Sequence, residues 1–279
     1  MSLRILAIET ATHLCSVALL LEGQILHQAI TSPQQHSQRI LPMLEHLLAE
    51  AGLSRSQLDV IAFGRGPGNF TGVRLATSVA QACAFALNRP LVPVSTLRSL
   101  AQRAWRLHRK PAVLAALDAR LQQIYWGYYA LGQGEIMQTC EAETVCYPKT
   151  AALPPAFDKI YPKQGGFRGG ARGSSDRSVL SVREDRGSER REPENQTVSS
   201  IMNWVGIGSG WDCYHTLLKA QFESQSLQVQ WLAEHDPHAY DIALLAQHDY
   251  QQGYYEEATA VAPVYLRDNI AKPQLNSLP

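Results

Sequence analysis

The chain has 279 residues, of which 45% are hydrophobic, and its 25 Lys and Arg balance 25 Asp and Glu to a formal charge of zero. That length fits one large or two modest domains, and the charge balance excludes a strong electrostatic hold on nucleic acid by this chain alone, because such a hold needs clustered cations. The apolar runs Leu14–Leu21, Val79–Ala80 and Ala82–Leu87 fall short of the ~20 residues that span a bilayer. No signal-peptide pattern follows Met1, and the five cysteines form no CxxC, so they read as reduced thiols and the expected location is cytoplasmic, with no membrane partner. Cys140 and Cys146 lie close enough for a metal or disulfide pair, but no second pair or nearby His completes a zinc site.

Leu3–Glu9 is rich in aliphatics and predicts a buried strand. Leu14–Leu21 and Ile25–Thr31 predict a hairpin around Glu22-Gly23-Gln24. A helix is expected from His36 to Ala51, stopped by Gly52. Then follow a strand at Asp59–Phe63, a glycine-rich loop at Gly64–Phe70, a helix at Thr71–Leu87 and a strand at Pro90–Val94. After a helix at Ser95–His108, the order restarts with strands at Ala112–Leu117, Gln122–Ala130, Glu135–Cys140 and Met202–Ile207. Helices are expected at Gly210–Ala220 and Ala239–Gln252. Two β-rich beginnings suggest a duplication, with one half over 1–108 and the other over 109–279.

Residues 163–199 interrupt the second half. Their Gly-Arg repeats resemble an RNA-binding segment, but eight basic and six acidic residues between Lys163 and Glu194 fit a solvated, disordered insertion better.

The loop Gly64-Arg65-Gly66-Pro67-Gly68-Asn69-Phe70-Thr71-Gly72-Val73-Arg74 joins a strand to a helix, where glycines permit close backbone approach and free amides can hold an anion. It is neither a Walker A loop nor a dinucleotide fingerprint. The helix that follows carries no charge from Leu75 to Asn88. A helix apolar nearly all round is buried on more than one side. Ile40, Leu41, Met43, Leu44, Leu47, Leu48 and Ala51 make a similarly wide arc on the preceding helix. These two helices therefore form a candidate protein–protein interface, through His36, Arg39, Ile40, Met43, Leu44, Leu47, Arg74, Leu75, Ser78, Val79, Ala82 and Ala86. The competing reading is that the second domain covers them.

Glu9-Thr10-Ala11-Thr12 and Asp118-Ala119-Arg120 each end the first strand of a half. Two related halves with an acid at each strand tip are the layout of the actin, sugar-kinase and chaperone ATPases. Those proteins place glycine just after the acid, whereas Ala11 and Ala119 stand here and crowd the phosphate position. A vestigial nucleotide cleft is thus expected from Glu9, Thr10, Thr12, Gly66, Gly68, Asp118, Gly206 and Gly208. No HExxH, HxxxH or GxSxG occurs, so no catalytic or metal residue is assigned. His235 and His238 read as surface residues at a turn. Tyr125, Trp126, Tyr128 and Tyr129 read as core and interface rather than as a base-stacking platform.

Taken together, ILAIETATHLCSVAL at Ile5–Leu19, HSQRILPM at His36–Met43, GRGPGNFTGVR at Gly64–Arg74, VSTL at Val94–Leu97, VLAALDAR at Val113–Arg120, IYW at Ile124–Trp126, VGIGSGW at Val205–Trp211 and PVYLRDN at Pro263–Asn269 resemble the TsaB (YeaZ) family of the bacterial tRNA threonylcarbamoyladenosine system. The resemblance implies an actin-like (ribonuclease H-like) α/β fold in two subdomains, each a mixed sheet flanked by helices. It implies a catalytic paralogue, TsaD, as partner, a TsaE-like ATPase as third subunit, and tRNA met only through the complex. It also implies docking, to the paralogue or as a homodimer, through the two helices named above. No tightly bound cofactor is implied, though ATP or ADP at a subunit boundary is compatible with it. Glu9 stands where many relatives have Asp. Against this scaffold reading stand a self-sufficient ATP-dependent phosphotransferase of the same fold and a metallopeptidase; the alanines at the strand tips oppose the first and the missing metal spacing opposes the second.

Overall fold

The computed structural model describes residues 3–31, 34–153, 204–224, 227–233 and 236–267. The insertion at 163–199, His235 and Asn269 lie outside these residues. β1 (Ile5–Glu9), β2 (Leu14–Leu21) and β3 (Gln24–Thr31) form an antiparallel meander. β4 (Val60–Gly64) and β5 (Leu91–Val94) add in parallel, giving the order β3-β2-β1-β4-β5. The second sheet repeats the scheme. β6 (Ala112–Asp118), β7 (Ile124–Leu131) and β8 (Met137–Thr139) are antiparallel. β9 (Thr144–Cys146) also pairs with β7, while β10 (Val205–Ile207) and β11 (Gln230–Trp231) extend β6 in parallel. Read from β8, the main path is β8-β7-β6-β10-β11, the same order and directions as the first sheet. The duplication is therefore visible in hydrogen-bonding topology, though little of it is visible in residue identity.

The helices are α1 (His36–Glu50), α2 (Phe70–Leu87), α3 (Thr96–His108), α4 (Ser209–Glu223) and α5 (Ala239–Gln251). Asn69 caps α2 by accepting the Thr71 N–H at 3.2 Å, and Asn88 ends it in the left-handed conformation. Ser95 caps α3 by accepting the Arg98 N–H at 3.2 Å. These side chains answer the orphan amides of a helix start.

α1 and α2 lie on one face of the first sheet, over Leu6, Ile8, Val17, Leu19, Ile61 and Phe63. The other face is covered by α5, whose Ala239, Ile242, Ala243, Leu245 and Ala246 pack on Ile5, Ala7, Leu20, Val60 and Val92. α3 packs on the second sheet through Leu97, Leu100, Ala101 and Ala104. Each half thus sends a helix onto the other half's sheet, so a cut at residue 108 divides the sequence but not the packing. α2 is the one described helix with the length and hydropathy of a membrane span. Its place is that of a crossover helix between the parallel strands β4 and β5.

Candidate functional site

The tips of β1 and β6 face a cleft of about 620 Å³. One wall is Ala11, Thr12, His13 and the loop Gly68–Phe70, and the other is Asp118, Ala119, Arg120 and Tyr125, with Ser209, Asp212 and Cys213 from the start of α4. Val264, Tyr265 and Arg267 of the C-terminal segment complete it.

Of the expected cleft residues, Thr12, Gly68 and Asp118 line it; the other five are corrected by the structure. Glu9 is fully buried beneath the glycine loop, its Oε1 accepting the Ala11 N–H at 2.6 Å. A side chain at Gly64 would collide with its carboxylate. Burial pushes the Glu9 carboxyl up to about 7, against the pull of the Ala11 and Thr10 amides. Thr10 is also buried and donates to the Gly72 carbonyl at 2.7 Å. Gly66 is buried, with the Val264 carbonyl over its Cα. Gly206 makes room for the Trp211 indole, and Gly208 for the Ala116 carbonyl. Close chain packing accounts for glycine at these three positions.

The cleft's fitness for a nucleotide can be judged from its backbone donors. At the first tip, Gly68 lies so close to Ala11 that a Cβ on it would come within 2.7 Å of the Ala11 methyl. The Asn69 N–H donates to Ala11 O at 2.7 Å, and the Thr71 N–H is taken by the Asn69 side chain. At the second tip, the Ala119 N–H donates to Gln123 O at 2.9 Å and the Arg120 N–H to Asp118 Oδ1 at 3.0 Å. Asp118 is also paired with the Arg120 guanidinium at 3.4 Å. A phosphate would need these amides, and the chain already uses them. At both tips, then, part of the backbone that could meet a phosphate is bonded within the chain, and at the start of α2 the Asn69 side chain takes the Thr71 amide.

Residues 119–123 are held in an uncommon shape. Arg120, Leu121 and Gln122 all have left-handed φ, at 63°, 52° and 59°. Each such non-glycine residue costs roughly 1–2 kcal/mol. Leu121 is 77% exposed, so its own packing does not offset that cost.

The two candidate interface helices divide by burial. Ile40, Leu44 and Leu47 are buried in the first sheet's core, which corrects their assignment to an external interface. Leu48 is buried with them, while Met43 and His36 are half-buried and Leu41 and Arg39 exposed. Along α2, Arg74, Ser78, Ala82, Phe85 and Ala86 point outward, with Leu75 and Val79 half-buried at the edge. Phe85 is 75% exposed. The second sheet does not cover this side. A C-terminal stretch does cover one flank: Gln81 donates to Ala258 O at 3.2 Å and to Val261 O at 2.8 Å.

Comparison with known proteins decides the family. The chain is 32% identical to the tRNA threonylcarbamoyladenosine biosynthesis protein TsaB of Haemophilus influenzae, over 98% of both chains. It is equally 32% identical to that of Escherichia coli K12, again over 98% of each. The chain belongs to the TsaB family. A structure of YeaZ from Pseudomonas aeruginosa, 38% identical, superposes with a TM-score of 0.72 over 95% of this chain and all of the other. The family model described as TsaD, tRNA N6-adenosine threonylcarbamoyltransferase, matches residues 24–275. With the repeated sheet, these likenesses make the fold actin-like, or ribonuclease H-like.

Two features of this TsaB-family chain escaped the sequence reading. Tyr265 and Arg267 belong to the cleft, and only their place in the PVYLRDN run marked them. His238, taken for a surface residue, is buried: its Nδ1 accepts the Tyr240 N–H at 3.0 Å and caps α5, and its ring meets His27 edge-on at 5.0 Å. Burial lowers its pKa to about 3. Cys140 and Cys146 are free, half-buried thiols, and burial pushes both up to about 11.

Proposed function

We propose that this chain is a non-catalytic subunit of the assembly that installs threonylcarbamoyl on N6 of the adenosine beside the tRNA anticodon. Its role is to brace and activate a TsaD-like catalytic paralogue. The observation that carries the reading is the outer side of α2: uncharged from Leu75 to Asn88, lined by small Ser78, Ala82 and Ala86, and ending in the exposed Phe85. Small residues let a second helix approach closely, and exposed aromatics supply contact area at low entropic cost. Leu41 of α1 is also exposed, at 52%. A paralogue of the same fold would present a matching helix pair, and a second copy of this chain is the other natural occupant. A TsaE-like ATPase would join the assembly, and tRNA would be met through the partners. ATP or ADP, if it enters, would do so at a subunit boundary rather than at the two strand tips. In this reading the site of action is the cytoplasm, whose reducing conditions suit five free cysteines.

The second reading, a phosphotransferase acting alone, draws on the cleft's size and its carboxylates Asp118, Asp212 and Asp236. The amides consumed at both tips weigh against it. Reconstitution separates the two. With tRNA, threonylcarbamoyl-adenylate and the catalytic paralogue, modified adenosine is expected to form only when this chain is added, while the chain alone turns over no ATP. Product formation that is indifferent to this chain would refute the scaffold role, and sustained ATP hydrolysis by the isolated chain would favour the phosphotransferase.

A further inference from the structure

We infer that Val264–Arg267 is a clasp that joins the two walls of the cleft, and that Arg74 couples this clasp to the outer side of α2. At one end, the Val264 N–H donates to Arg65 O at 2.9 Å, in the glycine loop of the first half. At the other, Arg267 donates to Ala119 O at 2.9 Å and to Gln123 Oε1 at 2.6 Å, in the left-handed turn of the second half. These two bonds, made by one side chain, reach the turn from outside its own hairpin. A turn of three consecutive left-handed non-glycine residues persists only where its surroundings hold it, and Leu121 contributes no packing.

The middle of the clasp touches the docking helix. Tyr265 Oη accepts from Arg74 Nε at 2.7 Å, and the Tyr265 ring lies 5.6 Å from that of Phe70. The Arg74 guanidinium sits 3.7 Å above Phe70, so one cation on α2 is shared by two aromatic rings. A partner group that takes Arg74 removes the donor from Tyr265, loosens Arg267 and frees the turn. A clasp that stays shut keeps the partner's end of α2 in its present shape. That a partner is what reaches Arg74 rests on the docking reading; the clasp itself does not.

The test uses the isolated full-length chain, so a failure of the clasp and a failure of docking are read separately. Amide hydrogen exchange is followed at Ala119, Gln123 and Val264 in the wild type and in the Arg267→Gln, Tyr265→Phe and Arg74→Gln variants. Exchange at these amides is expected to rise at least about fivefold in Arg267→Gln and at least about twofold in the other two, with β1 and β4 unchanged, as local opening requires. Arg267→Lys replaces Arg267→Gln if the latter does not fold. Wild-type exchange at the turn in Arg74→Gln, or an equal rise in β1 and β4, would overturn the inference.

Discussion

Glu9 and His238 are buried ionisable groups whose titrations oppose one another. Burial raises the folded Glu9 pKa from 4.5 to about 7. The folded state therefore holds the proton more tightly than the unfolded chain, and stability is lost as pH rises from 4.5 through 7. The size of that loss is on the order of 3 kcal/mol at full deprotonation. Glu9→Gln keeps an acceptor for the Ala11 N–H and removes the charge. Its urea-unfolding free energy, measured from pH 4.5 to 8, is expected to lack this downward slope, so the difference between the two profiles isolates Glu9. Parallel profiles would mean that burial does not hold a proton on Glu9. For His238 the sign is reversed. Burial lowers its pKa from 6.5 to about 3, so the unfolded state binds the extra proton and stability falls as pH drops from 6.5 towards 3. His238→Asn retains a helix-capping acceptor and is expected to flatten that acid limb. An unchanged acid limb would count against a neutral His238 cap.

At the scale of elements, α1 and α2 look alike in sequence and differ in what they leave exposed. Ile40, Leu44 and Leu47 are buried, so Leu44→Arg would place a charge in the sheet's core and is expected to unfold the chain. Ala82 is exposed, and Ala82→Arg should change thermal stability by no more than about 0.5 kcal/mol. The same substitution is expected to abolish capture by a TsaD-like partner, read by pull-down and sizing chromatography; undiminished capture would remove α2 from the interface. The width of the apolar arc on α1 was legible in sequence, but its direction was not. Which residues of an arc reach the sheet depends on helix rotation, which tertiary packing sets. Strand positions were readable because β1, β2, β4 and β6 carry continuous aliphatic runs bounded by turn residues. β9 and β11 were not, with three and two residues too few to show a period. The site was legible only in outline. The two strand tips, with Ala11 and Ala119, were readable as a place where the halves meet, and both residues line the cleft, whereas the roles of Tyr265 and Arg267 depend on contacts with residues far away in sequence.

At the scale of the whole molecule, the exchange of α3 and α5 between the sheets makes the junction of the halves part of the core. Two ion pairs pin these helices together. Arg106 binds Asp241 through two hydrogen bonds of 2.8 Å, with the Asp241 side chain fully buried, and Arg98 meets Asp249 at 2.7 Å. A buried pair is costly to form and costlier to break, because removing one partner leaves the other charged in a dry site. Arg106→Met should therefore destabilise the chain by about 3–5 kcal/mol, while the double variant Arg106→Met with Asp241→Leu should recover most of that loss. Equilibrium unfolding of the wild type, both single variants and the double variant gives the coupling directly. A double variant as unstable as the sum of the two single losses would show that Arg106 and Asp241 act independently. In that case the apolar faces of α3 and α5, rather than this pair, would set how the halves meet and how wide the cleft between their strand tips stands.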